Sequence, residues 1–323
     1  MRAVLCKSFG PPETLSLEEV LDLPLGPGQV RIDVKAAAMN FADTLIIEGK
    51  YQEKPPFPFI PGMECAGTVA EVGEGVRHLK PGMRVMALTR GAFATQTVAD
   101  AAAVLPIPDQ MGFAEAASFP VAYGTSHLAL TDRANLKPGE TLLVLGASGG
   151  VGLTAVEIGK AMGARVIAAA SSAEKLDVAK AHGADDLVNY ATEDLRARVK
   201  ELAPKGVDVV FDPVGGDVFD AALRCMAWEG RMVVIGFAAG RIPQVPANLL
   251  LVKNIAVLGL FWGAYRQNNP QRLGQSLMEL LGMWSKGQLK PHVSHSLPLE
   301  RYAEAFELLS GRRSTGKVVL TME

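Results

Sequence analysis

The chain has 323 residues, 49% of them apolar, and 32 lysines and arginines stand against 34 acidic residues for a formal net charge of −2. That length accommodates about two domains with sizeable cores, and the near balance of charge argues against nucleic acid or an anionic membrane as the main partner. The three cysteines (Cys6, Cys65, Cys225) form no C-x-x-C pair, "MRAVLCKSFG" lacks the apolar centre of a signal peptide, and no apolar run is long enough to span a bilayer, so a cytoplasmic protein with reduced thiols is expected.

Residues 1 to about 120 read as short strands broken by glycine and proline. "GPGQVRIDVK" is a turn followed by alternation, with Val30, Ile32 and Val34 on one face and Arg31, Asp33 and Lys35 on the other. Period-two alternation after a turn predicts a half-buried strand. "KPGMRVMAL" repeats the device, and "ECAGTVAEVG" predicts a strand whose glycines allow close backbone approach. "FAEAASFPVAYGTSHLALTDRA" predicts helix interrupted at Pro120.

From "TLLVLG" onward, strands and helices alternate. The strands are that run, "RVIAAA", "DLVNY", "VDVVFD", "RMVVIG" and "IAVLGLFW". Between them, "SSAEKLDVAKAHG" carries a capping box from Ser171 to Glu174 with Gly183 as its stop, and Thr192 is the predicted cap of the next helix. Six buried strands with intervening helices predict an α/β fold with a doubly wound parallel sheet. The tail holds a helix over Gln271–Lys286, an extended "HVSHSLPL", a helix from Glu300 and a last strand "KVVLTM". Its strand ending assigns it back to the first domain, giving domains of 1–120 with 268–323, and 121–267.

"LGASGGVG", Leu145 to Gly152, supports two readings. As G-x-S-x-G it is a nucleophile elbow with Ser148 as nucleophile, Asp212 as the acid and His292 or His295 as the base. As a glycine-rich turn it seats a pyrophosphate on a helix N-terminus. The upstream half has no oxyanion loop, and Gly150 and Gly152 have no task in an elbow. A second strand follows at the distance a dinucleotide fold requires. The dinucleotide reading is favoured, although Ala147 stands at the first glycine position.

The second strand ends in Ala170, Ser171 and Ser172 instead of the Asp or Glu that would accept from a ribose 2′-hydroxyl. Two hydroxyls, Lys175 and the phenol of Tyr190 suit a 2′-phosphate. NADPH is therefore the expected cofactor, with a helix cap and a solvated face as the bland roles of Ser171 and Lys175.

Several stretches carry a family likeness: "NFADTLIIEGKY", "PGMECAGTVAEVGEGV", "GASGGVG" and "STGKVVL". Together they resemble the zinc-free quinone oxidoreductases of the medium-chain dehydrogenase/reductase superfamily over essentially the whole chain. In the first, Asn40, Asp43, Gly49 and Tyr51 match the family pattern and Ile47 replaces its usual arginine. Asn40 and Met63 stand where zinc-dependent relatives carry Cys and His, so no metal is expected.

The resemblance implies a GroES-like, mostly-β catalytic domain beside a six-stranded Rossmann domain. It implies that Ser148, Gly149, Gly150 and Val151 contact the pyrophosphate, and that Lys175, Tyr190 and Arg312 hold the 2′-phosphate. Gly236, Phe237, Leu260, Phe261 and Trp262 would flank the nicotinamide. Asn40 is expected to orient the nicotinamide or a substrate carbonyl, and Tyr51 and Tyr123 to line the substrate site.

Without a metal or an evident base, reduction of a quinone or an enone is the expected chemistry, because the oxyanion formed needs only hydrogen-bond donors. Enoyl-thioester reduction, with Arg90, Arg266 and Arg272 as candidate partners of CoA phosphates, and a non-catalytic NADPH-binding role stay open. The apolar stretch 254–262 at the sheet edge predicts a homodimer.

Overall fold

The computed structural model describes residues 1–322. The chain forms two compact units, Met1–Val121 with the chain from Pro291 onward, and Ala122–Lys290. The first opens with the antiparallel pair β1 (Arg2–Leu5) and β2 (Ser16–Glu19). It continues through β3 (Gln29–Ala38), α1 (Phe41–Ile47), β4 (Glu64–Val72), β5 (Arg84–Leu88), β6 (Gln96–Asp100), β7 (Val104–Pro106) and α2 (Phe113–Ala117). After α3 (Pro120–Leu128), the second unit runs β8 (Thr141–Leu145), α4 (Gly150–Ala161), β9 (Arg165–Ala170), α5 (Ala173–Ala181), β10 (Asp186–Asn189), α6 (Leu195–Leu202), β11 (Val207–Asp212), α7 (Gly216–Cys225) and β12 (Met226–Val234). It ends with α8 (Ala247–Lys253), β13 (Ala256–Gly259), α9 (Tyr265–Asn268) and α10 (Pro270–Ser285). The chain then returns with β14 (Val293–Pro298), α11 (Tyr302–Ser310) and β15 (Lys317–Thr321).

In the first unit the sheet runs β14-β15-β3-β4-β5-β7, with β6 also paired to β3. The predicted alternation in β3 is real: Val30, Ile32 and Val34 are buried with Val69, Val85, Phe93 and Phe306. In the second unit six parallel strands take the order β10-β9-β8-β11-β12-β13. The order reverses between β8 and β11, the point at which ligands bind in such sheets. Leu143, Leu145, Ile167, Val210 and Met232 fill one side of its core.

Several local expectations give way to tertiary contacts. Helix α10 belongs to the second unit, so the return comes at Pro291 and not near residue 268. His127 Nδ1 meets Ser276 Oγ at 2.8 Å, and Arg272 holds both oxygens of Asp132 at 2.7 and 2.8 Å, which ties α10 to the end of α3 and the turn after it. Ser172, not Ser171, caps α5 by accepting from Lys175 N. Asp194, not Thr192, caps α6, because residues 189–193 close a turn of their own in which Glu193 accepts from Asn189 N. The predicted sixth strand is shorter: β13 keeps four residues between the left-handed Asn254 and the turn at Trp262.

Candidate active site

At the carboxyl end of the second unit's sheet, four loops follow β8, β11, β12 and β13. The first is the glycine turn. Gly146 has φ +59°, Gly149 caps α4, and a Cβ on Gly152 would lie 2.1 Å from the Gly146 carbonyl oxygen. Only a glycine at 152 lets the helix start this close to the strand that feeds it. The turn opens a 12-residue helix whose first N–H groups have no intrahelical carbonyl, although Gly149 N is bonded to Gly146 O; such a terminus favours a phosphate.

The loop after β11 is held by Asp212, whose Oδ1 accepts from Val214 N at 2.8 Å and Gly215 N at 2.9 Å. Its Oδ2 is buried and has no protein partner, and burial pushes the carboxyl up to about 6 against the two amide bonds. The loop after β12, with Gly236 and Phe237, bonds to this one through Ile235 N to Asp212 O and Ala238 N to Pro213 O. Leu260 N donates to Val234 O, which sets Leu260 at the same crest. Phe261 is half-exposed, whereas Trp262 is buried against Gly124 and its indole N–H has no protein acceptor.

The end of β9 carries the ribose-side residues. Ser171 is exposed, and Lys175 Nζ lies 3.5 Å from its Oγ. Because Ser172 takes the capping task, Ser171 is not needed as a cap. Tyr190 N donates to Ala170 O, so the phenol-bearing residue leaves β10 directly beside this turn. The structure therefore gathers Ser148–Val151, Ser171, Lys175, Tyr190, Gly236, Phe237, Leu260 and Phe261 along one edge of one sheet.

Asn40, Tyr51 and Arg312 belong to the first unit. Arg312 is exposed, with φ +54°, in the turn after α11. Tyr51 is partly buried, and its phenol is pushed up to about 12, first by burial and then by the charges of Glu53 and Asp43. Such a phenol stays protonated at neutral pH and releases its proton reluctantly.

Asn40 lies in a buried polar node that sequence reasoning missed. Its Nδ2 donates to Glu64 Oε1 at 2.9 Å, and its Oδ1 accepts from Lys317 Nζ at 2.6 Å. Lys317 Nζ also reaches Glu64 Oε1 at 2.9 Å, and Glu64 Oε2 accepts from Val121 N. Glu64 is fully buried and Lys317 nearly so. Glu64 starts β4, Lys317 starts β15 and Asn40 follows the end of β3, three adjacent strands in one sheet. Asp43 Oδ2 accepts from Asn40 N at 2.8 Å, while its Oδ1 is buried and unpaired.

Tyr123 does not present its phenol. It is 2% exposed, and its hydroxyl donates to the buried Glu157, which also accepts from Lys290 N and meets His182 Nδ1. Tyr123 is thus a packing residue within its unit, and its expected place in a substrate site is corrected. The elbow reading of Ser148 also loses its partners. His292 meets Thr315, His295 meets Ser294, and Asp212 spends Oδ1 on backbone amides. Of the candidate CoA arginines, Arg272 is bound by Asp132 and Glu279 and Arg90 by Glu53. Among the described residues no three His, Cys, Asp or Glu side chains cluster so as to hold a metal ion, and no helix is long and apolar enough to cross a membrane.

Residues 26–109 match the alcohol dehydrogenase GroES-like domain, and residues 150–280 match the zinc-binding dehydrogenase family. Quinone oxidoreductase-like protein 2 of Mus musculus is 44% identical over 325 residues, covering 100% of this chain and 92% of its own. The chain belongs to the quinone oxidoreductase family of medium-chain dehydrogenases/reductases. The quinone oxidoreductase of Pseudomonas syringae superposes with a TM-score of 0.93 at 34% identity, covering 99% of both chains. That of Escherichia coli, solved in complex with NADPH, superposes with 0.92 at 31%, covering 100% of both. The fold is accordingly a GroES-like, mostly-β unit plus a Rossmann unit, and the family is one of oxidoreductases.

Two outcomes test this geometry. Gly152→Ala should lose about 3 kcal/mol of stability in urea denaturation, since its Cβ meets backbone, whereas Gly149→Ala, whose nearest contact is 3.4 Å, should stay within about 1 kcal/mol. Burial lifts the Asp43 carboxyl to about 7, outweighing the Asn40 and Gly62 amides and the Lys317 charge, with the Glu64 charge adding to the rise. The folded state therefore holds a proton that the unfolded state has released above its ordinary value of 3.8. This contribution to stability is lost as pH rises from about 4 to 7. Between pH 5 and 8 the melting temperature of wild type should fall more than that of Asp43→Asn.

Proposed function

We propose that the protein is an NADPH-dependent oxidoreductase that passes a hydride to a quinone or an α,β-unsaturated carbonyl without a metal ion. One observation carries the cofactor half: the glycine turn opens α4 beside a β9 end that bears Ser171 and Lys175, 3.5 Å apart, with no Asp or Glu directly after the strand and with Glu174 held at the Ser172 cap. An acid there would accept from a 2′-hydroxyl and repel a 2′-phosphate. The cradle fits a diphosphate because its glycines leave the backbone N–H groups uncovered.

In this reading Ser148, Gly149, Gly150 and Val151 hold the pyrophosphate, and Ser171, Lys175, Tyr190 and Arg312 receive the 2′-phosphate. Gly236, Phe237, Leu260 and Phe261 border the nicotinamide, which when bound supplies the hydride. Asn40 donates to the nicotinamide or substrate carbonyl. Tyr51 acts as a neutral hydrogen-bond donor to the oxygen that gains charge, a role that suits its raised phenol. The final proton comes from solvent. Asn40 and Met63 offer neither thiolate nor imidazole, and the Asn40 amide oxygen accepts from the Lys317 ammonium.

A quinone or enone is favoured over an acyl-CoA thioester because Arg90 and Arg272 are engaged by acids. The relatives named quinone oxidoreductase and the NADPH complex from Escherichia coli support the same choice.

Fluorescence titration should show NADPH binding at least about tenfold tighter than NADH, roughly 1.4 kcal/mol, with most of that preference lost in Lys175→Ala. Benzoquinones and enones should then oxidise the bound NADPH. Equal affinity for NADH would overturn the cofactor assignment, and the absence of oxidation by every acceptor would overturn the catalytic one.

The same proposal includes a homodimer through the edge 254–262. Leu260 N–H bonds inward to Val234, so by strand alternation Val257 and Gly259 carry the outward backbone groups. Arg133 Nε occupies one of these, the Gly259 carbonyl, at 3.0 Å. Leu251 and Val252 on α8 are 77% and 64% exposed, apolar surface that a partner copy would cover. Light scattering at micromolar concentration should give twice the chain mass; a monodisperse monomer would refute the dimer.

A further inference from the structure

In the Lys317–Glu64–Asn40 node, Glu64 serves the fold by accepting from Val121 N, but among the described residues the Lys317 ammonium bonds only to the side chains of Asn40 and Glu64. Burying an ammonium and a carboxylate costs desolvation, and well-packed hydrophobic replacements are often as stable or more so. What the charges do accomplish is specific. A primary amide is nearly symmetric in shape, so packing alone does not decide which end points where. Here an ammonium meets one end and a carboxylate meets the other. Turning the Asn40 amide over would set its N–H₂ against Lys317 and its oxygen against Glu64, two repulsive contacts in a buried place.

The bonds also leave a definite remainder. Nδ2 carries two hydrogens and gives one to Glu64, so the second is the amide's one donor with no protein acceptor among the described residues. The Lys317 ammonium draws electron density through Oδ1, which makes that remaining N–H a stronger donor. Asp43 fixes the backbone of the same residue through Asn40 N. Asn40 is thus held at its amide oxygen, at one amide hydrogen and at its main chain.

We propose that Lys317 is a positioning residue that acts through Asn40, using Glu64 as its anchor to fix the amide and sharpen its second Nδ2–H for a ligand carbonyl oxygen. This rests on the preceding assignment of Asn40 to the nicotinamide or substrate carbonyl.

A double-mutant cycle on the full-length protein tests it. Asn40→Ala and Lys317→Met should each lower kcat/KM for a benzoquinone at saturating NADPH by about 10- to 100-fold, the scale of one preorganised donor. Their combination should fall no more than about threefold below the worse single variant, because Lys317 has nothing left to position. Losses that multiply would overturn the proposal. Lys317→Met leaves Glu64 unpaired and can lose stability for that reason alone, so Glu64→Gln with Lys317→Met is the control. It should melt close to wild type and still show the low kcat/KM; recovery of turnover along with stability would show a merely structural pair.

A second readout needs no turnover. In protein labelled with ¹⁵N-asparagine and free of cofactor, the Asn40 side-chain signal, identified by its loss in Asn40→Ala, should show two widely separated protons. Both should move in Lys317→Met, because the charge on Oδ1 that polarises the amide is gone. An Asn40 signal indifferent to Lys317 would also overturn the proposal. If wild type oxidised no NADPH with any acceptor, the proposed activity would fail while this spectroscopic result still decided whether Lys317 fixes the amide.

Discussion

The second unit depends on one close approach, the Gly152 α-carbon beside the Gly146 carbonyl. A Cβ there would be 2.1 Å from that oxygen, and a Cβ on Gly146 would be 2.9 Å from Val214. The first contact lets α4 begin directly off β8. The second lets the loop after β11 close over the same turn at the reversal of strand order. Remove either and the backbone N–H groups no longer converge on one point. The cradle is therefore a consequence of packing strand, helix and neighbouring loop without side chains between them, and its chemistry follows from the absence of Cβ atoms more than from the Ser148 hydroxyl.

Each unit also carries one buried polar node, and the two differ in kind. In the second unit Glu157 draws Tyr123, His182 and the backbone of Lys290 together, joining α3, α4, the end of α5 and the last residue of the unit. Its partners point at Glu157, and Tyr123 is consumed by it. In the first unit the bonds around Asn40 leave an N–H over. A node that absorbs every donor serves the fold. One that orients a donor and leaves it available has something further to offer a ligand.

The sequence made the repeating features legible and hid the long-range ones. Alternation in β3, six strands alternating with helices and the glycine turn are local patterns, each decided within a dozen residues, and they are present, although the sixth strand is shorter and only partly buried. Ser171 and Lys175 were legible for the same reason, although the capping task had to pass to Ser172 before the Ser171 hydroxyl was spare. Caps were misassigned by one or two residues at α5 and α6, where several Ser, Thr or Asp side chains compete for the same N–H groups. The placement of α10 turned on Ser276 and Arg272, 149 and 140 residues from their partners. The Asn40 node was hidden altogether. Lys317 lies 277 residues from Asn40 and 253 from Glu64, and "STGKVVL" reads as an ordinary closing strand until β15 is laid beside β3. The one available hint was compositional: a lysine and a glutamate at the first positions of strands whose next residues, Val318–Leu320 and Cys65–Ala66, are apolar and buried.

The environment of Tyr51 bears on how the reaction ends. Burial and the nearby carboxylates Glu53 and Asp43 disfavour the phenolate, so full proton transfer from this hydroxyl leaves an anion in a place built against one. A hydrogen bond from the intact phenol keeps the proton on its own oxygen while the acceptor gains charge. A quinone reduced by hydride yields an oxyanion that is itself a weak base, for which donors are sufficient until water arrives. Alcohol oxidation makes the opposite demand, since a proton must leave before hydride can, and a phenol pushed up to about 12 is a poor group to pass that proton through. On the proposed assignment of Tyr51 and Asn40, both side chains suit carbonyl-linked acceptors and neither supplies the base that alcohol oxidation needs.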